Sequence, residues 1–290
     1  MQIKNILLLA ALVTGNMARL HGHARRHAHL QAGELERRQY SPSSTATATA
    51  TASASSSASS SSSSSSPSSS GSSDWLSTPS SGSYSTKGFG GVTASSGSGI
   101  NYVGNVGNPW GSNIIEVSAS DASQYEYVAQ ITGQNTEDWD IVFWNKIGPN
   151  GGLNGWYGNS ALKLTLSPGE TKYVAFDENT DGGFAAAPGG TIPTDSNGGY
   201  SATWGEFDFG NSGNNGWSGY DVSAIQAQAA GQTIQGMKIC QAPDTACSII
   251  TPGAAQVTNA YTQANADLGG IGGNIASGPV RLSVVIDYSG

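Results

Sequence analysis

Apolar residues alternate with polar residues in several short segments, and this pattern constrains the fold more than any other feature of the chain. Leu162–Leu166 has leucine at every second position, and Val280–Ile286 repeats the alternation with Val, Leu and Ile. A period of two residues is that of a β-strand with one buried face. Gly- and Asn-rich turns separate these segments, and Ser167–Glu170 places Pro and Gly where a type II turn requires them. We therefore predict an all-β protein with an antiparallel β-sandwich.

Residues 100–290 form the predicted β-sandwich domain. Its predicted strands are Asn113–Ser118, Tyr125–Thr132, Asp140–Asn145, Ala161–Leu166, Lys172–Phe176, Thr203–Phe209, Tyr220–Ile225, Thr233–Cys240 and Val280–Tyr288. Ala254–Leu268 has a weak helical pattern. Cys240 and Cys247 have six residues between them. In an oxidising compartment we expect these two cysteines to form a disulfide that closes a small loop.

The first 99 residues differ in composition from the predicted domain. Residues 1–24 resemble a secretory signal peptide, with Lys4 before a short apolar run and a small residue for cleavage. Residues 25–38 end in the dibasic pair Arg37-Arg38 and are predicted to be a propeptide. Residues 39–99 are rich in Ser and Thr and are predicted to be a disordered, O-glycosylated linker. We therefore predict a secreted, extracellular protein, either free or associated with the cell wall.

Cleavage after Arg38 would change the charge and the chemistry of the chain. The mature protein would keep 6 basic and 18 acidic residues, a net charge of −12. Nucleic acid and anionic membranes are poor partners for such a surface. All four histidines precede the cut, which excludes a Ser-His-Asp triad and a histidine metal site. Cleavage after Ala24 or Arg26 would instead leave His27 and His29 near a free amino terminus, where copper could bind.

The acidic segment 177–182 resembles a fragment of a calcium-binding loop. Asp177 and Asp181 bracket Glu178, but the spaced ligands and the terminal glutamate of an EF-hand are missing. A glycine-terminated loop after a strand explains the segment equally well. We predict no metal site and no cofactor.

The segment from Trp204 to Phe209 is the strongest candidate for a functional site. In a strand, Trp204, Glu206 and Asp208 share one face, and the phenylalanines form the other. An indole beside carboxylates suits stacking on a sugar ring and hydrogen bonding to its hydroxyls. The alternative is a core strand with two solvated acids. The predicted carbohydrate-binding residues, from this segment and the one that follows, are Trp204, Glu206, Asp208, Trp217, Tyr220 and Asp221.

Several segments carry a resemblance to a known family, over nearly the whole predicted domain. They include Gly107-Asn-Pro-Trp-Gly-Ser, Val142-Phe-Trp-Asn-Lys, Val174-Ala-Phe-Asp-Glu-Asn and Thr203-Trp-Gly-Glu-Phe-Asp-Phe. The chain resembles the Aspergillus major-allergen-four family of secreted fungal proteins. The resemblance implies a secreted protein that host IgE binds.

A weaker resemblance concerns architecture. Gly-Glu206-Phe-Asp-Phe and Tyr220-Asp221-Val-Ser are similar to two strands of thaumatin-like proteins, in which a Glu and an Asp line an acidic cleft. Glu206 and Asp221 match those two positions. Gln226 replaces a second Asp of that pattern, and the cleft arginine and the dense set of disulfides have no counterpart. The resemblance implies a thaumatin-like sandwich with a glucan-binding groove more than it implies glucanase activity.

These observations leave three functions open. The first is a non-catalytic, cell-wall-associated protein that binds glycans such as β-glucan. The second is a weak glycoside hydrolase of the endo-β-1,3-glucanase type that uses Glu206 and Asp221, for which the two carboxyl groups must lie about 5–10 Å apart. The third is an effector that interacts with host proteins. A carboxyl pair that titrates in a cleft favours the second function, and a structural hydrogen bond at Glu206 or Asp221 favours the others.

Overall fold

The computed structural model describes residues 74–290 of the 290-residue chain. The predicted signal peptide, the propeptide with Arg37 and Arg38, and residues 39–73 lie outside the described residues. The strands are β1 (Ile114–Val117), β2 (Tyr127–Gly133), β3 (Trp139–Asn145), β4 (Leu162–Leu166), β5 (Lys172–Phe176), β6 (Thr180–Pro188), β7 (Trp204–Asn211), β8 (Trp217–Ser223), β9 (Met237–Gln241), β10 (Thr245–Ile250), β11 (Val257–Thr258), β12 (Gly273–Ile275) and β13 (Val280–Ile286). The helix α1 spans Ile225–Ala230, and the 3-10 turns are Gly99–Asn101, Ala122–Gln124, Ser212–Asn214, Pro252–Ala254 and Gln263–Asn265.

The strands form two sheets. Sheet I has the order β1-β5-β2-β13-β9-β10-β11, and sheet II has the order β12-β8-β7-β6-β3-β4. All pairs in sheet II are antiparallel. Sheet I contains one parallel pair, β2 with β13, because the last strand inserts between β2 and β9. The predicted all-β sandwich is confirmed, and this parallel pair is the departure from purely antiparallel pairing.

The core lies between the two sheets and follows the predicted alternation. In β4, Leu164 and Leu166 are buried, whereas Lys163 and Thr165 are exposed. In β13, Val280, Leu282, Val284 and Ile286 all enter the core. Aromatic side chains from both sheets fill its centre, at positions Tyr127, Phe143, Phe176, Phe184, Phe207 and Phe209. Burial of this apolar surface is what holds the two sheets together.

The strands β6, β10, β11 and β12 were not predicted from the sequence. β6 contains two glycines and three alanines, residues that are depleted in strands. Packing explains its composition. A Cβ on Gly182 would collide with the carbonyl oxygen of Trp144, and a Cβ on Gly183 would lie 3.0 Å from the Trp144 ring. Small residues in β6 therefore make room for a tryptophan of the neighbouring strand.

The predicted helix at Ala254–Leu268 is wrong. That segment contains β11 and the turn Gln263–Asn265. Ala254 and Asn259 have positive φ angles of 55° and 48°, which a right-handed helix does not accommodate. The α-helix of the described region is α1, which begins where the predicted strand Tyr220–Ile225 ends.

Residues 74–89, which the sequence placed in the linker, pack on the outer face of sheet I. Trp75 is 9% exposed and contacts Tyr173 edge to face, with ring centroids 6.0 Å apart. The Arg281 guanidinium donates hydrogen bonds to the carbonyl oxygens of Trp75 and Ser77, and to those of Tyr125, Glu126 and Val280. These contacts place the segment with the folded domain, because its burial depends on the sheet beneath it.

The predicted disulfide between Cys240 and Cys247 is confirmed. It joins β9 to β10, and Cys240 is fully buried. Within residues 74–290, no helix has the length and apolar character that a membrane span requires.

Candidate functional site

The outer face of sheet II carries the acidic side chains that the sequence singled out. β7 and β8 are neighbours, and their register sets Glu206 directly opposite Asp221. Asp208 lies two residues further along β7, on the same face. The intervening Phe207 and Phe209 are 4% and 1% exposed and point into the core. The strand pattern therefore collects three carboxyl groups on one side of the sheet.

A cavity of about 210 Å³ lies over this face, and we call it the cleft. Aromatic rings line it at Tyr102, Trp144, Trp156 and Trp204. Its charged lining residues are Lys146, Asp181, Glu206, Asp208 and Asp221. Residues 97–100 and the loop between β7 and β8 also line the cleft. The cleft therefore has an apolar wall, formed by the tryptophan rings, and an acidic floor, formed by Glu206, Asp208 and Asp221.

The apolar wall is a cluster of indole rings that covers part of sheet II. Trp144 stacks on Tyr200 at 5.1 Å and meets Trp204 edge to face at 5.1 Å. Trp156 lies 6.0 Å from Trp204. The Trp204 indole N–H donates to the carbonyl oxygen of Tyr200 at 3.0 Å, and the side chain is 2% exposed. Trp204 is therefore a fixed wall of the cleft and not an open platform on the surface.

Glu206 and Asp221 form a hydrogen-bonded carboxyl pair. Burial and the neighbouring Glu206 raise the pKa of Asp221 well above its ordinary value. Burial also raises the pKa of Glu206, to about 7, against the lowering effect of its hydrogen bond with Asp221. One proton shared between two close carboxyls produces this behaviour. Their hydrogen bond lowers the pKa of Glu206 and raises that of Asp221, the direction expected when Asp221 donates to Glu206.

Asp208 occupies the other end of the acidic floor. Asn211 donates a hydrogen bond from Nδ2 to Asp208 Oδ2 at 2.6 Å. The second oxygen, Oδ1, is inaccessible to solvent and has no hydrogen-bond partner among the described residues. Burial and the neighbouring Asp181 raise the pKa of Asp208 to about 7, against the lowering effects of Asn211 and Lys146.

Lys146 and Asp181 form an ion pair beside Asp208. Asp181 lies opposite Asp208 in the sheet register. Burial lowers the pKa of Lys146, but the attraction and hydrogen bond of Asp181 outweigh it, so the net pKa is raised. The ammonium also lies 5.8 Å from the centre of the Tyr102 ring. Lys146 is therefore charged and already partnered.

Two of the predicted binding residues do not line the acidic floor with their side chains. Tyr220 points into the core between the sheets, where its hydroxyl donates to Ala246 O and accepts from the Gln241 N–H. Strand alternation requires this, since its neighbour Asp221 faces outward. Trp217 is half-buried opposite Asn211, beyond the residues that line the cleft.

Five contributors to the site are not among the predicted binding residues: Tyr102, Trp144, Lys146, Trp156 and Asp181. Trp144 and Lys146 are two residues apart, the same spacing as Trp204 and Glu206, so the signal was present in the sequence. Their place beside β7 depends on the unpredicted strand β6, which separates β3 from β7. Within residues 74–290, no three His, Cys, Asp or Glu side chains are arranged to hold a metal ion. The acidic segment 177–182 instead uses Asp177 to accept from Asn105 and Asp181 to pair with Lys146.

The arrangement is suited to binding more than to hydrolysis. Glycoside hydrolysis needs two carboxyl groups about 5–10 Å apart with the glycosidic bond between them. Glu206 and Asp221 are hydrogen bonded to each other, and their carboxyl groups are therefore closer together than that separation. The cleft offers hydrogen-bond acceptors next to flat apolar rings, which is the combination that a sugar ring requires.

Comparisons with known proteins agree with the resemblance seen in the sequence. The chain is 55% identical to Allergen Asp f 4 of Aspergillus fumigatus over an alignment 321 positions long, which covers 99% of each protein. Among solved structures, the protein elicitor MoHrip2 from Magnaporthe oryzae matches with a TM-score of 0.35 and 10% identity, over 56% of this chain and 99% of the elicitor. A family model described as the Allergen Asp f 4-like domain matches residues 112–286, which include both sheets and the acidic floor of the cleft. The chain belongs to the Allergen Asp f 4-like family.

Proposed function

We propose that this protein is an extracellular, cell-wall-associated glycan-binding protein, and that the cleft on sheet II is its saccharide site. The observation that carries the proposal is one cavity in which the indoles of Trp144, Trp156 and Trp204 adjoin the carboxyls of Glu206 and Asp208. Sugars present apolar C–H faces to aromatic rings and hydroxyl donors to carboxylates. β-Glucan is the proposed class of polysaccharide.

The volume of the cleft is suited to a ligand of about the size of one sugar ring. A volume of about 210 Å³ is below the roughly 300–1,000 Å³ of sites for drug-sized ligands. A single sugar ring at the end of a chain, or one ring of a longer chain, fits such a space. The other rings of a polysaccharide would then lie along the mouth of the cleft, near residues 97–100.

A polysaccharide depletion assay tests this function. The protein is incubated with insoluble β-1,3-glucan, chitin and mannan, and both the depletion of protein and the release of sugars are measured. Ser98 is exposed and lines the cleft, so Ser98→Trp should block the cleft without disturbing the core. Ser80→Trp is the matched control, because Ser80 is exposed in the segment on the outer face of sheet I.

We expect depletion without sugar release, lost in Ser98→Trp and kept in Ser80→Trp. Depletion that survives Ser98→Trp would show that the cleft is not the binding site. Absence of both depletion and release would contradict glycan binding and favour a protein-interaction effector.

A weak glycoside hydrolase is the second candidate. The observation that favours it is the titrating pair, Glu206 and Asp221, whose raised pKa values suit proton transfer near neutral pH. Sugar release that Glu206→Gln abolishes would establish this activity. Membership of the allergen family supports host IgE as a further partner. Immunoblotting with sera from patients sensitised to Aspergillus tests that binding, and absence of reactivity would refute it.

A further inference from the structure

The charges of the cleft do not balance. Four carboxyl groups line it, from Asp181 on β6, Glu206 and Asp208 on β7, and Asp221 on β8. Among the described residues that line the cleft, Lys146 is the basic one, and it pairs with Asp181. Glu206 and Asp208 line the same cleft and form no ion pair among the described residues, and burial and repulsion by Asp181 disfavour their ionised forms.

Two buried acceptor atoms of the cleft residues lack hydrogen-bond donors. Asp208 Oδ1 and Asn211 Oδ1 are both inaccessible to solvent, and neither has a hydrogen-bond partner among the described residues. Buried polar atoms without partners are rare in folded proteins. Both acceptors belong to residues that line the cleft. A ligand that enters here is therefore expected to bring several donors, and an ammonium group has three.

The aromatic rings that line the cleft are suited to a ligand that combines an ammonium group with a flat apolar ring. Indole and phenol faces attract an ammonium group at about 6 Å or less, and the Tyr102 ring already holds the Lys146 ammonium at 5.8 Å. Trp144, Trp156 and Trp204 line the cleft beside the acidic floor and are 2–5% exposed. A cavity of about 210 Å³ accommodates one pyranose ring, and a ring presents a flat apolar face to the indoles, which the methylene chain of a lysine does not.

We propose that the cleft selects amino sugars that carry a protonated amine over neutral sugars. This inference rests on the proposed saccharide function and names the class of sugar. The ammonium lies beside Asp208 and Asn211, and the sugar ring packs on the indoles. A neutral sugar supplies hydroxyl donors but no positive charge with which a carboxylate could pair, and an N-acetylated sugar has lost its charge. The natural ligand class is a polysaccharide with unacetylated 2-amino sugar units.

Three trisaccharides with the same β-1,4 backbone test this inference. They carry an amine (glucosamine trimer), an acetamide (N-acetylglucosamine trimer) or a hydroxyl group (cellotriose) at C2. Binding to the full protein is measured by isothermal titration calorimetry at pH 6.5. Each titration is repeated in two buffers of different ionisation enthalpy, so that protons exchanged on binding are counted.

We expect the glucosamine trimer to bind at least 10-fold more tightly than cellotriose or the acetylated trimer, and to release protons from the carboxyl cluster. Asp208→Asn should bring the amine and hydroxyl trimers within about 2-fold of each other. Asp138→Asn is the matched control, because Asp138 is exposed and outside the cleft. It should leave the preference unchanged.

The outcomes that overturn this inference differ from those that overturn the proposed function. Equal affinity for the amine and hydroxyl trimers, with binding that Ser98→Trp abolishes, refutes the charge preference and leaves the saccharide site intact. Binding of trilysine as tight as that of the glucosamine trimer refutes recognition of the sugar. Failure of all three trimers together with failure of the insoluble polysaccharides refutes both.

Discussion

Asp208→Asn should stabilise the protein at pH 8 and have little effect at pH 4. Burial raises the pKa of Asp208 from 3.8 to about 7. A carboxyl group with a raised pKa favours the folded state when protonated, so its contribution is complete below pH 3.8 and is lost as the pH rises through 7. The shift corresponds to about 4 kcal/mol at about 1.36 kcal/mol per pH unit. Asp208 is only half-buried, and solvent reduces the effect of its charge. We therefore expect Asp208→Asn to increase the free energy of unfolding by about 2–4 kcal/mol at pH 8.

Thermal unfolding at pH 4 and pH 8 measures this effect. A change of 1 kcal/mol moves the Tm of a domain of this size by about 2–4 °C, so Asp208→Asn should raise the Tm by about 5–15 °C at pH 8. The exposed Asp138→Asn is the control and should change the Tm by little at either pH. If Asp208→Asn lowers the Tm at pH 8, or shifts it equally at both pH values, Asp208 is a stabilising anion beside Lys146 and the electrostatic account of the cleft is wrong.

Three further changes test other parts of the structure. Replacement of Cys240 and Cys247 by Ser should cost about 2–3 kcal/mol in the free energy of unfolding, because it opens the short covalent loop; chemical denaturation measures this, and an unchanged midpoint would contradict it. Arg281→Lys should cost at least about 3 kcal/mol and expose residues 74–99 to limited proteolysis, since a lysine cannot replace the five hydrogen bonds to carbonyls; a protease-resistant variant would show that the segment is held otherwise. Gly182→Ala should cost about 1–3 kcal/mol and perturb the near-ultraviolet circular dichroism of the tryptophans, because the added Cβ meets the Trp144 backbone; a spectrum and a Tm identical to wild type would refute the packing argument for β6.

Local pattern predicted the acidic floor, because strand alternation is a property of neighbouring residues. It set Glu206 and Asp208 on one face and the phenylalanines on the other, as the structure shows. The same rule, applied to β8, would have turned Tyr220 inward once Asp221 was taken to face the cleft. The direction of Tyr220 was therefore within reach of the sequence.

The apolar wall of the cleft and the start of the folded domain were not predicted, because both depend on contacts between segments that are distant in sequence. The burial of Trp204 results largely from Trp144 and Trp156, which come from earlier segments of the chain. The glycines and alanines of β6 do not predict a strand, and the reason for them is their packing against Trp144 of the neighbouring strand. Residues 74–99 look like linker because their anchor, Arg281, lies about 200 residues away in sequence. Composition and periodicity contain no information on such pairs.

The central claim is that a saccharide binds in the cleft on sheet II, and nuclear magnetic resonance tests it most directly. The indole N–H signals of the protein are followed while the glucosamine trimer is added. The account predicts shifts for Trp144, Trp156 and Trp204, which line the cleft, and none for Trp75, which is buried on the opposite face of the sandwich. Shifts confined to Trp75, or no shifts with this trimer or with β-1,3-glucan oligosaccharides, would contradict it.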